Sequence, residues 1–177
     1  MSPAWPAVDG WATPGEWIWW GGVGAAALGR GADLLSTWVA TPRLTLEGNP
    51  LARWLGWKGG LIVNGLIIPL VALWPMLAIS LTTTSCLVAA RNLQQAWLMR
   101  SMGEDRYRMW MAMRVVESPR WLVMGSFLGE ACLTGVVGLT LMLAGPWHVV
   151  SFGVGLGISA YGLAVGVFTV LSLRRGV

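Results

Sequence analysis

The chain has 177 residues, of which 55% are hydrophobic and only 11% charged, with a formal net charge of +4. Soluble domains carry roughly 25% charged residues. A surface this poor in charge excludes a soluble globular domain, a disordered chain and a nucleic-acid reader, and leaves an integral membrane protein.

The expected fold class is all-α: one domain, a membrane four-helix bundle with interfacial amphipathic helices. Residues 1–16 contain Asp9 and Glu16 but no Lys or Arg. The charged n-region of a secretory signal is missing, so the first apolar run is expected to stay as a span. A crossing helix takes about 20 apolar residues. The first predicted span covers residues 17–40 and carries Arg30 and Asp33. The second covers residues 59–85 of an uncharged run that reaches Ala90. That run reads as too short for two spans and a turn. As one helix it would extend about 48 Å, so it should tilt, project from the membrane or kink at Pro69 and Pro75. The third and fourth spans are expected at 121–144 and 147–173, joined through Gly145-Pro146 as an antiparallel hairpin.

Between spans two and three, residues 91–116 form the long polar stretch. Leu93, Trp97 and Leu98 fall on one side of a helix. Met109, Trp110 and Met113 repeat the pattern after the break at Gly103-Glu104-Asp105. Two short amphipathic helices on the inner leaflet are expected, with Arg100, Arg106, Arg108 and Arg114 at anionic lipid headgroups. Four spans with both termini inside put most Lys and Arg on the cytoplasmic side, as orientation in a cell (inner) membrane demands. The thirteen Trp cluster at predicted span ends, where an apolar ring with a wet N–H anchors the interface.

Metal and cofactor signatures are lacking. The two cysteines, Cys86 and Cys132, sit in apolar runs and read as buried thiols. His148, the one histidine, reads as an interfacial side chain. No cofactor can be named, and no metal cluster can be assembled from this inventory.

Charge at depth is costly, about 2.5–3.5 kcal/mol per residue on insertion scales, so Arg30, Asp33 and Glu130 need partners. Arg30 and Asp33 are three apart and can pair on one helix face. Ser36 and Thr37 neighbour the same carboxylate. Arg30 and Glu130 differ by about 6 Å in expected depth, so those two could also meet. Gly48 and Pro50 make a turn, and Asn49 can cap a short interfacial helix through Leu51, Trp54 and Leu55. Glu47 is not needed for that turn and can fold back towards Asp33, Thr37 and Asn64. Arg30, Asp33, Ser36, Thr37, Glu47, Asn49, Asn64 and Glu130 thus form the candidate polar site.

Asp33-Leu-Leu-Ser36-Thr37, followed by Glu47-Gly48-Asn49-Pro50-Leu51 and a long apolar span, resembles a family of small bacterial and archaeal membrane proteins, a domain of unknown function. That family has an Asp followed by Ser/Thr-Thr in its first span and Glu-x-Asn-Pro before its second. The resemblance covers roughly residues 30–70 and extends less securely to Arg91-Asn92. It implies a bacterial or archaeal membrane protein in which Asp33, Thr37, Glu47 and Asn49 act as a unit, and it brings no activity with it.

Small residues four apart, Gly125/Gly129, Gly153/Gly157, Gly155/Ser159 and Gly162/Gly166, allow close helix packing within the chain or in a homo- or hetero-oligomer. The expected function is a non-catalytic accessory subunit or a lipid or small-molecule binder. The alternative is an intramembrane enzyme or an oligomeric transporter working through Asp33 and Glu47. Membrane lipids are the expected partners, and nucleic acid is not.

Overall fold

The computed structural model describes residues 10–144 and 148–174, with backbone alone for Thr169 and residues 171–174. Six helices account for them: α1 (Trp17–Ala40), α2 (Pro50–Val71), α3 (Pro75–Met102), α4 (Glu104–Glu117), α5 (Arg120–Ala144) and α6 (Val149–Arg174). The expected all-helical class holds. Four of these, α2, α3, α5 and α6, are long and apolar enough to cross a membrane.

The expected single span over 59–85 does not form. The chain turns at Ala72-Leu73-Trp74 and gives two helices. Trp74 is extended (φ −117°, ψ 101°) and Pro75 occupies the first turn of α3. Proline excludes the helical conformation from the residue before it, yet suits the first helical position, where its missing N–H costs nothing. Room for two helices exists because α2 starts at Pro50, well before Gly59, and α3 runs on to Met102. Residues 91–102 are therefore the end of α3, not a separate surface helix. Only α4 stands apart, after Gly103 with its positive φ of 78°.

The short helix expected after Asn49 is present. Asn49 Oδ1 accepts from the Leu51 N–H at 3.0 Å, and Gly56 (φ 61°, ψ −172°) breaks α2 after that first stretch. Trp54 there is 80% exposed, as an interfacial anchor would be.

Contacts between helices set their directions. Gly22 faces Ala78, Gly29 faces Thr82, and Asn92 reaches Ser36 and Thr37, so α1 and α3 run parallel. Trp19 Nε1 donates to the Pro69 carbonyl (3.2 Å) and Trp57 Nε1 to the Pro42 carbonyl (2.9 Å), so α2 runs antiparallel to α1. Gly153 packs on Met76 and Ile79, and Gly157 on Ser80 and Thr83, placing α6 parallel to α3. Gly155 meets Gly138 and Met142 while Gly162 meets Ala131 and Thr134, so α5 is antiparallel to α6. That much of the expected hairpin is present; its turn at Gly145-Pro146 lies outside the described residues.

The packing order is α2, α1, α3, α6, α5, with α3 at the centre and no contact between α1 and either α5 or α6 among the described residues. This is a row of helices, not the closed four-helix bundle expected. Its core is built from small side chains, Ala26, Ala72, Ala78, Ala89 and Ala96, because backbones in lipid gain stability by close approach. Cys86 and Cys132, expected to be buried, are both exposed on outer helix faces.

The segment before α1 lies beside the α2–α3 turn: the Ala12 N–H donates to the Leu73 carbonyl, and Trp11 meets Trp74 edge-on at 4.6 Å. Helix α6 runs away from that end. The start of α1 and the end of α6 therefore lie at opposite ends of the row.

Candidate functional site

The polar residues of α1 are placed by helical spacing and met by α2 and α3. Arg30 Nη1 contacts Asp33 Oδ2 at 2.5 Å, one turn along α1. The same guanidinium donates through Nε to Asn64 Oδ1 of α2 at 2.5 Å and through Nη1 to Ser85 Oγ of α3 at 3.3 Å. Asn64 is buried, and its amide donates to the Gly60 carbonyl at 2.7 Å. One arginine thus joins three helices. The sequence pairs Arg30 with Asp33 and sets Asn64 in the same polar site through Glu47 and Asp33, not through Arg30; Ser85 gave no signal beyond a hydroxyl-rich run.

Ser36 and Thr37 do not bond the Asp33 carboxylate. Ser36 Oγ donates to the Asp33 backbone carbonyl at 2.9 Å, and both hydroxyls accept from Asn92 Nδ2, at 3.3 and 3.0 Å. Asn92 is the residue that links them to α3.

Glu47 takes part in the turn after all. Its Oε1 accepts from the Asn49 N–H at 2.8 Å, the same residue that caps α2. Burial pushes the Glu47 carboxyl above its usual range, and the nearby Asp33 charge pushes in the same direction. Glu47 makes no hydrogen bond to Asp33, Thr37 or Asn64.

Glu130 does not join this cluster, because α1 and α5 lie on opposite sides of α3. It accepts instead from Arg91 Nη1 at 2.9 Å and from the Tyr161 hydroxyl at 3.0 Å. Arg91 also lies 5.7 Å from the centre of the Phe127 ring. This second network joins α3, α5 and α6 as the first joins α1, α2 and α3. The alternative of an Arg30 contact with Glu130 gives way to two separate ion pairs, Arg30–Asp33 and Arg91–Glu130.

A third cluster was not anticipated. Glu104, at the start of α4, is buried and gathers the α1–α2 loop: it accepts from Thr41 Oγ1 (2.8 Å), the Arg43 N–H (3.1 Å), the Thr45 N–H (3.3 Å) and the Thr45 hydroxyl. Burial alone would raise its pKa, but these hydrogen bonds win and hold it near 2. Arg43 completes the corner on Asp105 at 2.9 Å, which raises the Arg43 pKa further. Arg100, Arg106, Arg108 and Arg114 are all exposed, and Arg114 pairs with Glu117 at 2.9 Å.

No group of three or more His, Cys, Asp or Glu suited to a metal occurs among the described residues. Chemically, the clusters are ion pairs sharing hydroxyls and amides between helices; none sets a nucleophile against a base. Comparison with known protein families, with curated proteins and with solved structures returns no match.

Proposed function

We propose that this chain is a non-catalytic subunit of a bacterial or archaeal inner membrane, crossing it five times, with the start of α1 outside and the end of α6 in the cytoplasm. The fifth crossing is α1. Trp20 and Trp38 lie eighteen residues apart in it, about 27 Å along a helix, which matches the hydrocarbon thickness of about 30 Å. The orientation follows from charge. Apart from Arg30 and Arg91 within the spans, every described Lys and Arg lies at the end of the row where α4 sits. The opposite end, with the α2–α3 turn, has none. Positive charge of this kind stays inside.

The observation that carries the functional reading is the closure of the Arg30 guanidinium onto Asp33, Asn64 and Ser85. An intramembrane arginine spent on three neighbours sets helix register, as buried polar groups in membranes do. The sequence resemblance groups Asp33 of this cluster with Thr37, Glu47 and Asn49. The glycines of α6 are consumed inside the chain, whereas Gly125 and Gly129 of α5 meet nothing within 4 Å. They leave α5 the face on which a helix of another subunit, or of a second copy, would pack.

One observation favours the second reading, a transporter or enzyme. Asp33 and Glu47 each use a single carboxylate oxygen in hydrogen bonding and are close enough to interact. Two coupled carboxylates can pass a proton.

Native purification followed by mass spectrometry of co-purifying proteins and lipids tests the subunit reading. A stoichiometric partner whose association is lost in Asp33→Asn together with thermal stability supports it. An associated transport or turnover activity that disappears in Asp33→Asn with melting and assembly unchanged overturns it. Impermeant thiol reagents test the topology. A cysteine placed at Gly10 should label from outside and one at Gly48 should not.

A further inference from the structure

Helix α4 is held in a fixed rotation. Glu104 is tied into the α1–α2 loop, and Tyr107, one turn on, is buried with its hydroxyl at 3.5 Å from Gln95 of α3. The face opposite these anchors carries Met109, Ala112, Met113 and Val116, spaced i, i+3, i+4, i+7, which is one stripe of a helix; the carboxylates at its two ends, Asp105 and Glu117, are taken up by Arg43 and Arg114. Met109 is 59% exposed, Met113 56% and Val116 84%. The helix cannot roll to bury them without breaking the Glu104 corner. At 100° per residue, Arg106 and Arg108 fall on the two flanks of the stripe, and both are exposed.

We propose that this face of α4 is a binding surface for anionic phospholipid. The stripe enters the acyl boundary of the leaflet at the basic end of the row, and Arg106 and Arg108 contact phosphate on either side. Charge complementarity selects this occupant. An apolar strip bordered by guanidinium groups matches the layered chemistry of a lipid surface, acyl below and phosphate above, and long arginine stems snorkel between the two. The position supports it too, because α4 joins α3 directly to α5 at the level where both leave the row. The inference rests on reading the chain as a multi-pass membrane protein, though not on which side faces the cytoplasm.

The test uses the full chain with Cys86→Ser and Cys132→Ser, carrying Met113→Cys labelled with a nitroxide. It is reconstituted into vesicles of phosphatidylcholine with or without phosphatidylglycerol. With phosphatidylglycerol present, the label should be reached by dissolved oxygen and protected from a water-soluble nickel chelate. Spin-labelled phosphatidylglycerol should associate with the protein in preference to spin-labelled phosphatidylcholine. That preference should fall by up to about fivefold for each of Arg106→Gln and Arg108→Gln, as a contribution of about 1 kcal/mol per arginine implies. Free access of the chelate overturns the proposal. So does protection from both reagents, which would mean that protein covers the face. A lipid preference unmoved by the two substitutions overturns the anionic assignment. The thiol labelling at Gly10 and Gly48 reads sidedness separately, so an inverted topology would be recognised without altering this result.

Discussion

Arg30 and Asp33 sit one turn apart on α1, and the 2.5 Å contact between them is the point from which α1 reaches both neighbours, since the same guanidinium bonds Asn64 and Ser85. The two partners are not equivalent. Removing the arginine strands a carboxylate at depth, whereas removing the carboxylate leaves the arginine two other acceptors. Arg30→Gln should therefore destabilise the detergent-solubilised protein by about 3–5 kcal/mol, the range for a buried pair losing one member. Asp33→Asn should cost clearly less. Thermal melting of both variants and of the double variant checks the order, and the double variant should recover part of the Arg30→Gln loss.

Glu104 should make the protein acid-sensitive. Its folded pKa lies near 2 against an ordinary 4.5. The unfolded chain therefore binds the proton first as pH falls. The stabilisation is complete above pH 4.5 and is lost between there and pH 2. Its size is on the order of 3 kcal/mol, from the shift between the two values. Glu104→Gln should remove most of it at neutral pH and flatten the stability profile across that acid window, as read by melting temperature against pH.

Glu47 should show the opposite sign. Burial and the Asp33 charge raise its pKa above 4.5, so the native state holds the proton more tightly than the unfolded chain. Its carboxylate form costs stability at neutral pH, and the cost disappears as pH falls below the ordinary value. Gln retains an oxygen for the Asn49 N–H. Glu47→Gln should thus raise the melting temperature at neutral pH and lose that advantage in acid. A lower melting temperature at neutral pH would show that the charge is held by something other than the turn.

Much of this architecture was legible because it depends on local spacing. The Arg30–Asp33 pair follows from i, i+3 geometry and the Asn49 cap from Asn before Pro, whereas Asn64, placed at the right level, was set towards Glu47 and not Arg30. What failed depends on lateral neighbours. Depth along a span says nothing about which helix lies beside it, so a meeting of Arg30 with Glu130 stayed open in the sequence although α3 stands between them. The uncharged run from Gly59 concealed a three-residue turn because charge counting sees no boundary there, although Trp74-Pro75 carries one in its backbone restriction. That missed turn divides the expected second span into α2 and α3. Glu104 escaped notice because Gly103-Glu104-Asp105 already reads as a break between two helices. Its partners lie about sixty residues away.

Helix α6 makes the sharpest prediction about packing. A Cβ at Gly157 would stand 2.6 Å from the Ser80 carbonyl oxygen and 2.7 Å from Thr83 Cβ. Backbone and a branched side chain cannot yield as a flexible tip would, so α3 and α6 must separate. The separation also stretches the Thr84 hydroxyl from the Gly157 carbonyl, now at 2.9 Å. Gly157→Ala should cost about 1–3 kcal/mol, the usual range for overpacking. Gly125 meets nothing within 4 Å, and alanine is the better helix former by about 1 kcal/mol. Gly125→Ala should leave the isolated chain as stable or slightly more so. Melting in detergent separates the two variants. If Gly125→Ala instead weakens association with a partner or a second copy while leaving the isolated chain intact, the open face of α5 is where that association occurs.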